Sequence, residues 1–263
     1  MSTTAEVFAI GDELCYGRVY DTNSFWLADQ LTRRGVHVQR ITCLRDKKEE
    51  ICEALRNSIN RRPTFILITG GLGPTQDDLT LTALSDLSRK PIITSQHILD
   101  VMAERRRLPK SSFNPGQLKM AETIQGAECV PNPTGFAPVT ILTMGASSLI
   151  SMPGPPREVQ ACFNEILAER IEKVTGFRSV GKRVRVTMFE SELAPLVLEA
   201  AKAVDGVYIK PLVSDSSRDR GLAVEVLAFD HSEEACRQKC DQAVAKLKDL
   251  VTKKGQELID AST

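Results

Sequence analysis

Residues 66–80 read Ile66-Leu67-Ile68-Thr69-Gly70-Gly71-Leu72-Gly73-Pro74-Thr75-Gln76-Asp77-Asp78-Leu79-Thr80. The apolar start predicts a buried strand, the glycines a loop, and Leu81, Leu84 and Leu87 one face of a following helix. Gly70, Gly71 and Gly73 carry no Cβ, so a bulky polar ligand can approach their backbone. Amides at a loop and helix start favour anions. Asp77 and Asp78 admit two readings. They can hold a divalent cation whose shell is completed by phosphate oxygens, or they can cap the helix. The stretch lacks the Gly-Lys-Ser/Thr ending of a P-loop and the third glycine of a dinucleotide fingerprint, since Gln76 stands there.

Working outward, the same alternation recurs. Residues 6–10 predict a first buried strand, followed by Gly11-Asp12-Glu13-Leu14 and then Asp21-Thr22-Asn23-Ser24 at a helix start. Leu27, Ala28 and Leu31 form the apolar face of that helix, and Gly35 ends it. Residues 36–44 predict a second strand. Asp46-Lys47-Lys48-Glu49 has the form of a capping box for a helix carrying Ile51, Leu55 and Ile59. Residues 64–69 are the third strand. Strands alternating with helices predict parallel strands joined by crossover helices, in which ligands bind outside the carboxyl ends of the strands. That rule places Asp12, Glu13, Asp46, Asp77 and Asp78 around one cleft. Such acids would repel an anion unless a cation intervened.

Beyond residue 90 the signals are shorter. Ser95 starts a helix that ends in Arg105-Arg106-Arg107, read as a solvated helix end or as phosphate contacts. Asn114-Pro115-Gly116 predicts a turn, with a short helix over 119–123 and a strand over 128–130. Pro131-Asn132-Pro133-Thr134-Gly135-Phe136-Ala137-Pro138 is a stiff loop. A strand over 148–152 ends in Pro153-Gly154-Pro155-Pro156-Arg157-Glu158, where Pro156 suits a first helical turn. After Gly176 the texture changes to strand 182–187, helix 191–203, strands 206–213 and 222–229, and helix 232–250, with a hairpin tip over 214–219. The expected architecture is therefore α/β: an open, mainly parallel sheet sandwiched by helices over 1–175, a smaller α+β domain over 176–255, and a frayed tail over 256–263.

The 263 residues are 42% hydrophobic and 26% charged with zero formal net charge, an ordinary globular composition. It gives no electrostatic footprint for nucleic acid or membrane. No apolar run is long enough to span a bilayer, and no secretory leader opens the chain, so a cytoplasmic location is expected. The seven cysteines show no Cys-x-x-Cys and read as reduced, buried thiols; Cys236 and Cys240 make at most half a metal site. The three histidines lie outside the motifs and there is no Gly-x-Ser-x-Gly elbow, which leaves acids, glycines and backbone donors to carry any chemistry.

The glycine–aspartate loop resembles that of the molybdopterin-binding (MoaB/Mog-like) domain superfamily, and in particular the amino-terminal domain of the CinA (competence/damage-inducible) proteins. Gly11–Leu14, Asp21–Asn23, Asn132–Pro138 and Pro153–Glu158 match, in order, that family's Gly-Asp-Glu-Leu, Asp-Thr-Asn, Asn-Pro-x-Gly-x-Ala-Pro and Pro-Gly-Pro-Pro-x-Glu segments. Val139 departs from a usual glycine and Met152 from a usual leucine. The tail is similar to the KH-like domain of CinA proteins but has no Gly-x-x-Gly loop, so no RNA binding is implied.

The resemblance implies divalent-metal-dependent (Mg2+ or Co2+) cleavage of a nucleotide diphosphate such as ADP-ribose or FAD. It makes Asp77 and Asp78 metal ligands, with Asp46 as a further catalytic acid. Gly70, Gly71, Gly73 and Thr75 would cradle phosphate. Gly11, Asp12, Glu13, Asn23, Asn132, Gly135, Gly154 and Glu158 would contact the substrate. The alternative is a module that binds molybdopterin or its adenylylated form without hydrolysis. Relatives of both kinds form oligomers, so a homodimer or other homo-oligomer is expected. The carboxy-terminal deamidase domain of longer CinA proteins is not part of the resemblance, so nicotinamide-nucleotide deamidation is not expected.

Overall fold

The computed structural model describes residues 3–217 and 221–260, which divide into two compact units, 1–32 with 36–175 and 33–35 with 176–263. The first unit begins β1 (Thr4–Ile10), α1 (Asp12–Cys15), α2 (Thr22–Arg33), β2 (His37–Leu44), α3 (Lys48–Arg61), β3 (Phe65–Thr69) and α4 (Thr80–Ser88). It continues through β4 (Ile92–Thr94), α5 (Gln96–Arg106), α6 (Pro115–Lys119), β5 (Glu122–Ile124), β6 (Glu128–Val130), β7 (Val139–Met144) and β8 (Ser147–Met152). It closes with α7 (Pro156–Cys162), a π turn over Phe163–Leu167, and α8 (Ala168–Thr175).

Six strands form one sheet in the order β2-β1-β3-β8-β7-β6. The β1–β2, β1–β3 and β3–β8 pairs are parallel, while β7 runs antiparallel to both neighbours. Strand alternation sorts the core onto two faces. Ala5, Val7, Phe65 and Leu67 pack with Leu27 and Leu31 of α2 and with Phe163, Leu167 and Ile171. Phe8, Ile10, Ile66 and Ile68 pack with Ile51 and Leu55 of α3 and Leu84 of α4. Glu6, fully buried on β1, takes a two-pronged ion pair from Arg61 at 2.6 Å and another contact from Arg40 at 3.2 Å. These bonds from the guanidiniums hold its carboxyl below the usual range although burial, the largest influence, pushes it up.

The second unit contains β9 (Arg178–Val186), α9 (Glu190–Ala203), β10 (Val207–Ser217), β11 (Gly221–Asp230), α10 (Glu233–Thr252) and β12 (Leu258–Asp260). Its antiparallel sheet has the order β10-β11-β9-β12 and buries Val184, Val224 and Val226 against Leu193, Leu247 and Val251.

Several details differ from the sequence expectations. Leu258 to Asp260 pair with β9, so the chain past 255 is not frayed there; Leu258 is drawn into the apolar core, and 261–263 lie outside the described residues. Residues 214–217 of the expected hairpin tip are strand, and 218–219 lie outside the described residues. The helix expected over 119–123 starts earlier, at Pro115, because Asn114 and Gln117 form a capping box around it, and Glu122–Ile124 is strand. Asp46 is not a helix cap: the N-cap of α3 is Lys47, with no side-chain cap bond. Cys15 and Cys43, read as buried, are exposed. The Cys236 and Cys240 thiols are buried as expected and donate to the backbone carbonyls of Arg178 and Val180, and burial pushes Cys240 up to about 11. Among the described residues no helix is long and apolar enough to cross a membrane.

Candidate functional site

From β1 the chain crosses to β2 on one side and then returns to β3 on the other. The sheet therefore has its switch point at the carboxyl ends of β1 and β3, where open α/β sheets bind ligands. The chain leaves β1 at Gly11 and β3 at Gly70, and both amides are still tied to neighbouring strands. Gly11 N–H donates to Leu44 O at 3.0 Å and Gly70 N–H to Met152 O at 3.1 Å. A cavity of about 710 Å³ opens there. Of the residues expected to form the site, Gly11, Glu13, Asn23, Asp46, Gly70, Gly71, Gly73, Asp77, Asp78, Gly135, Gly154 and Glu158 line it. Asp12, Thr75 and Asn132 stand outside that lining and brace residues within it.

The glycines serve the fold more directly than a ligand. A Cβ on Gly70 would sit 2.1 Å from the Ile10 carbonyl oxygen, and one on Gly71 2.3 Å from the Thr80 hydroxyl. The missing side chain of Gly71 makes room for Thr80, whose hydroxyl donates to Gly70 O at 2.8 Å. At three other positions the vacated space is taken by the protein's own carboxylates. Glu13 lies where a Gly11 Cβ would point, Asp78 likewise for Gly73, and Glu158 for Gly135.

The acids are fixed by distinct partners. Asp78 Oδ2 accepts from Thr75 N–H at 2.8 Å and from the Thr75 hydroxyl at 2.5 Å, closing the turn. The N-cap of α4 is Leu79, so neither Asp77 nor Asp78 caps that helix. Lys119 Nζ donates to the carbonyls of Thr75 and Asp78 and pins this turn to α6. The Thr75 side chain and Asp77's own amide hold the exposed Asp77 carboxyl below its ordinary value, helped by the Lys119 charge. Asp46 Oδ2 accepts from Asp12 N–H at 2.8 Å, and Asp12 Oδ1 accepts from Asp46 N–H at 3.2 Å. Arg45 pairs with Asp12 at 3.2 Å and keeps that carboxyl low. Burial pushes Asp46 up, and the charges of Asp12, Glu13 and Asp78 push it the same way. The cavity lining thus carries Glu13, Asp21, Asp46, Asp77, Asp78 and Glu158 and, among the described residues, no lysine or arginine.

The far wall is the 131–138 loop. Asn132 is buried; its Oδ1 accepts from the Thr134 and Gly135 amides at 3.0 Å, and its Nδ2 donates to Glu158 Oε2 at 2.6 Å. Asn23 Nδ2 donates to Gly154 O at 2.7 Å, joining α2 to the proline turn after β8. The arginine run at the end of α5 makes specific contacts. Arg105 Nη1 donates to Asn132 O and Gly135 O, each at 2.7 Å, and the Arg106 guanidinium lies 4.6 Å from the Phe136 ring centroid. Val139, the departure from the expected glycine, is buried in β7 and does not line the cavity. The lining residues that sequence reasoning missed are chiefly apolar: Val19, Tyr20, Leu72, Met120, Phe136 and Pro153. Leu72, Phe136 and Pro153 lie inside the quoted motifs and Val19, Tyr20 and Met120 beside them, and that position was the signal available.

The mixed, mainly parallel sheet with its switch-point cleft makes the first unit an open α/β ligand-binding domain. Residues 6–173 match the family described as "Probable molybdopterin binding domain", and the chain belongs to that family. It is 32% identical over 273 residues to a protein of Pyrobaculum aerophilum, covering 100% of both chains. It is 36% identical over 166 residues to a CinA-like protein of Myxococcus xanthus, covering 63% of this chain and 39% of that one. The crystal structure of a CinA protein of unknown function from Thermoplasma acidophilum superposes with a TM-score of 0.60 at 28% identity, covering 65% of this chain and 98% of that one.

Proposed function

We propose that the chain is a divalent-cation-dependent pyrophosphatase acting on a nucleotide diphosphate such as ADP-ribose or FAD. One observation carries the reading: a cavity at the switch point whose charged lining is carboxylate throughout. A phosphate-bearing ligand enters such a cavity only with a cation to offset the repulsion. The lining offers carboxylate oxygens, the ligand type that a hard divalent cation takes. Among the described residues no three His, Cys, Asp or Glu side chains converge as a ready-made cage. Magnesium is commonly bound by one or two carboxylates with substrate phosphates completing the shell. Asp77 and Asp78 would hold it, with Asp46 beside them. When bound, it lowers the pKa of its water and offsets charge on the diphosphate.

The chain's own residues position these groups. Thr75 and Lys119 fix the Asp78 turn, and the Asp12 amide fixes Asp46. Binding of a molybdopterin nucleotide without hydrolysis uses the same cavity and is favoured by the family's description. A homo-oligomer, most simply a dimer, completes the proposal; light scattering that returns a monomer at all concentrations would count against it.

The test is hydrolysis of ADP-ribose and FAD with magnesium or cobalt, alongside ligand affinity, for wild type and Asp78→Asn. Asn keeps an acceptor for Thr75 and removes one ligand charge. Turnover should fall about a hundredfold or more, since changes to outer-shell partners alone cost ~10–100-fold. Unchanged turnover removes Asp78 from the mechanism. Tight binding without turnover in wild type, under every divalent metal, favours the binding module.

A further inference from the structure

Phe136 occupies a position that the motif Asn-Pro-x-Gly-x-Ala-Pro leaves open, and it lines the cavity. It is the best-fixed aromatic side chain there. The Arg106 guanidinium lies over its ring at 4.6 Å. The ring also packs against the buried cluster of Ile98, Leu99, Met102 and Phe113. The backbone on its amino-terminal side is clamped by Arg105 at Gly135 O. Tyr20, the other aromatic residue of the lining, is 92% exposed. A half-buried ring held in one orientation is a preorganised apolar surface in a cavity whose charged groups are all acidic. The ring itself offers a phosphate nothing, whereas a planar heteroaromatic ring can stack on it at little cost in order.

Resting on the reading of this cavity as a phosphate-ligand site, we propose that Phe136, oriented by Arg105 and Arg106, recognises the ring of the ligand. The site therefore selects ring-bearing nucleotides over sugar phosphates and inorganic diphosphate. Cation and carboxylates take the phosphates, and the Phe136 wall takes the base or flavin.

The experiment is calorimetric binding to the full chain with saturating magnesium. The ring-bearing probes are ADP-ribose and FAD analogues whose bridging diphosphate oxygen is replaced by a methylene, which cannot be hydrolysed; the ring-lacking probes are ribose 5-phosphate and methylenediphosphonate. Wild type should bind the ring-bearing probes at least about tenfold more tightly, the scale of one aromatic stacking contact. Phe136→Leu keeps apolar volume against Met102 and removes the aromatic face. It should lower that preference about tenfold while leaving ring-lacking affinity unchanged and lowering the thermal melt only slightly. Phe136→Tyr should retain the preference, and Arg106→Gln should reduce it by a few fold.

The proposal is overturned if Phe136→Leu leaves the ratio intact or weakens both probe classes alike. It is equally overturned if Tyr20→Ala alone abolishes the preference, or if wild type binds no ring-bearing probe. Turnover is scored separately. Ring preference without hydrolysis sinks the hydrolase reading and keeps the Phe136 assignment; hydrolysis without ring preference does the reverse.

Discussion

A methyl group on Gly71 would meet the Thr80 hydroxyl at 2.3 Å on a backbone at φ 64°. Gly17 has a similar φ of 66° with nothing within 4 Å of its would-be Cβ. The two glycines separate conformational strain from steric conflict. Gly17→Ala should cost about 1–2 kcal/mol, the penalty of a left-handed residue. Gly71→Ala should cost more, because the Thr80 bond to Gly70 O must also move. Urea unfolding of both variants checks this, and equal losses would show that the Thr80 contact is unimportant. Asp46 gives a pH-dependent expectation. Folding raises its carboxyl above the ordinary value, chiefly by burial. Between the unfolded and folded values the native state holds more protons, so stability falls as pH rises through that window. The cost is fully present above the folded value and absent below the unfolded one. Asp46→Asn should therefore be more stable than wild type at neutral pH, with the gap closing in acid. Melting temperatures across pH decide it. A less stable variant at pH 7 would mean that the charge on the acceptor for Asp12 N–H outweighs the cost of its burial and the like charges around it.

At the scale of elements, α6 links a helix cap to the cavity. Asn114 accepts from Gln117 N–H and Gln117 accepts from Asn114 N–H, each at 2.9 Å, while Lys119 at the other end pins the Thr75–Asp78 turn. Asn114→Ala should cost about 1 kcal/mol of stability and weaken ligand binding through the loosened turn. Lys119→Met should weaken binding at least as much with a smaller loss of stability. Parallel melts and titrations test this, and unaltered affinity in both variants removes α6 from the site. The sequence made β1, β2, β3 and β8 legible: they are apolar runs or half-apolar segments bounded by turn residues. Their loops carried most of the cavity's polar lining for the same reason. It did not disclose β4, β5 or β7. The first two span three residues each, too short to show a period, and β7 begins at Val139, directly after a proline loop. Asp46 misled because a residue of capping type can equally accept a bond from a distant helix start, here Asp12 of α1. Arg105 misled because its acceptors, Asn132 O and Gly135 O, lie 27 and 30 residues away and are backbone groups without a sequence signature.

For the whole molecule, every residue lining the cavity lies between Ile10 and Glu158, within the first unit, while Val184 to Leu258 form a separate apolar cluster in the second. Two cores of this kind give two cooperative units rather than one. Leu247 is fully buried in the second cluster, with Leu193, Val224 and Val251 in the same core. Leu247→Ala removes three carbons from that core and should cost about 2–5 kcal/mol there, depending on how far the surroundings collapse. None of that loss reaches the Asp46, Asp78 or Glu158 carboxylates if the units are energetically independent. The expected result is an earlier urea transition reported by probes in the second unit, an unchanged transition in the first, and unaltered magnesium-dependent affinity for ADP-ribose at low urea. The single tryptophan, Trp26, packs edge-on against Phe163 at 5.4 Å and reports the first unit selectively. If its fluorescence shifts to the same lower midpoint as far-ultraviolet dichroism, the chain unfolds as one cooperative body. The second unit then contributes stability to the cavity although it supplies none of the lining.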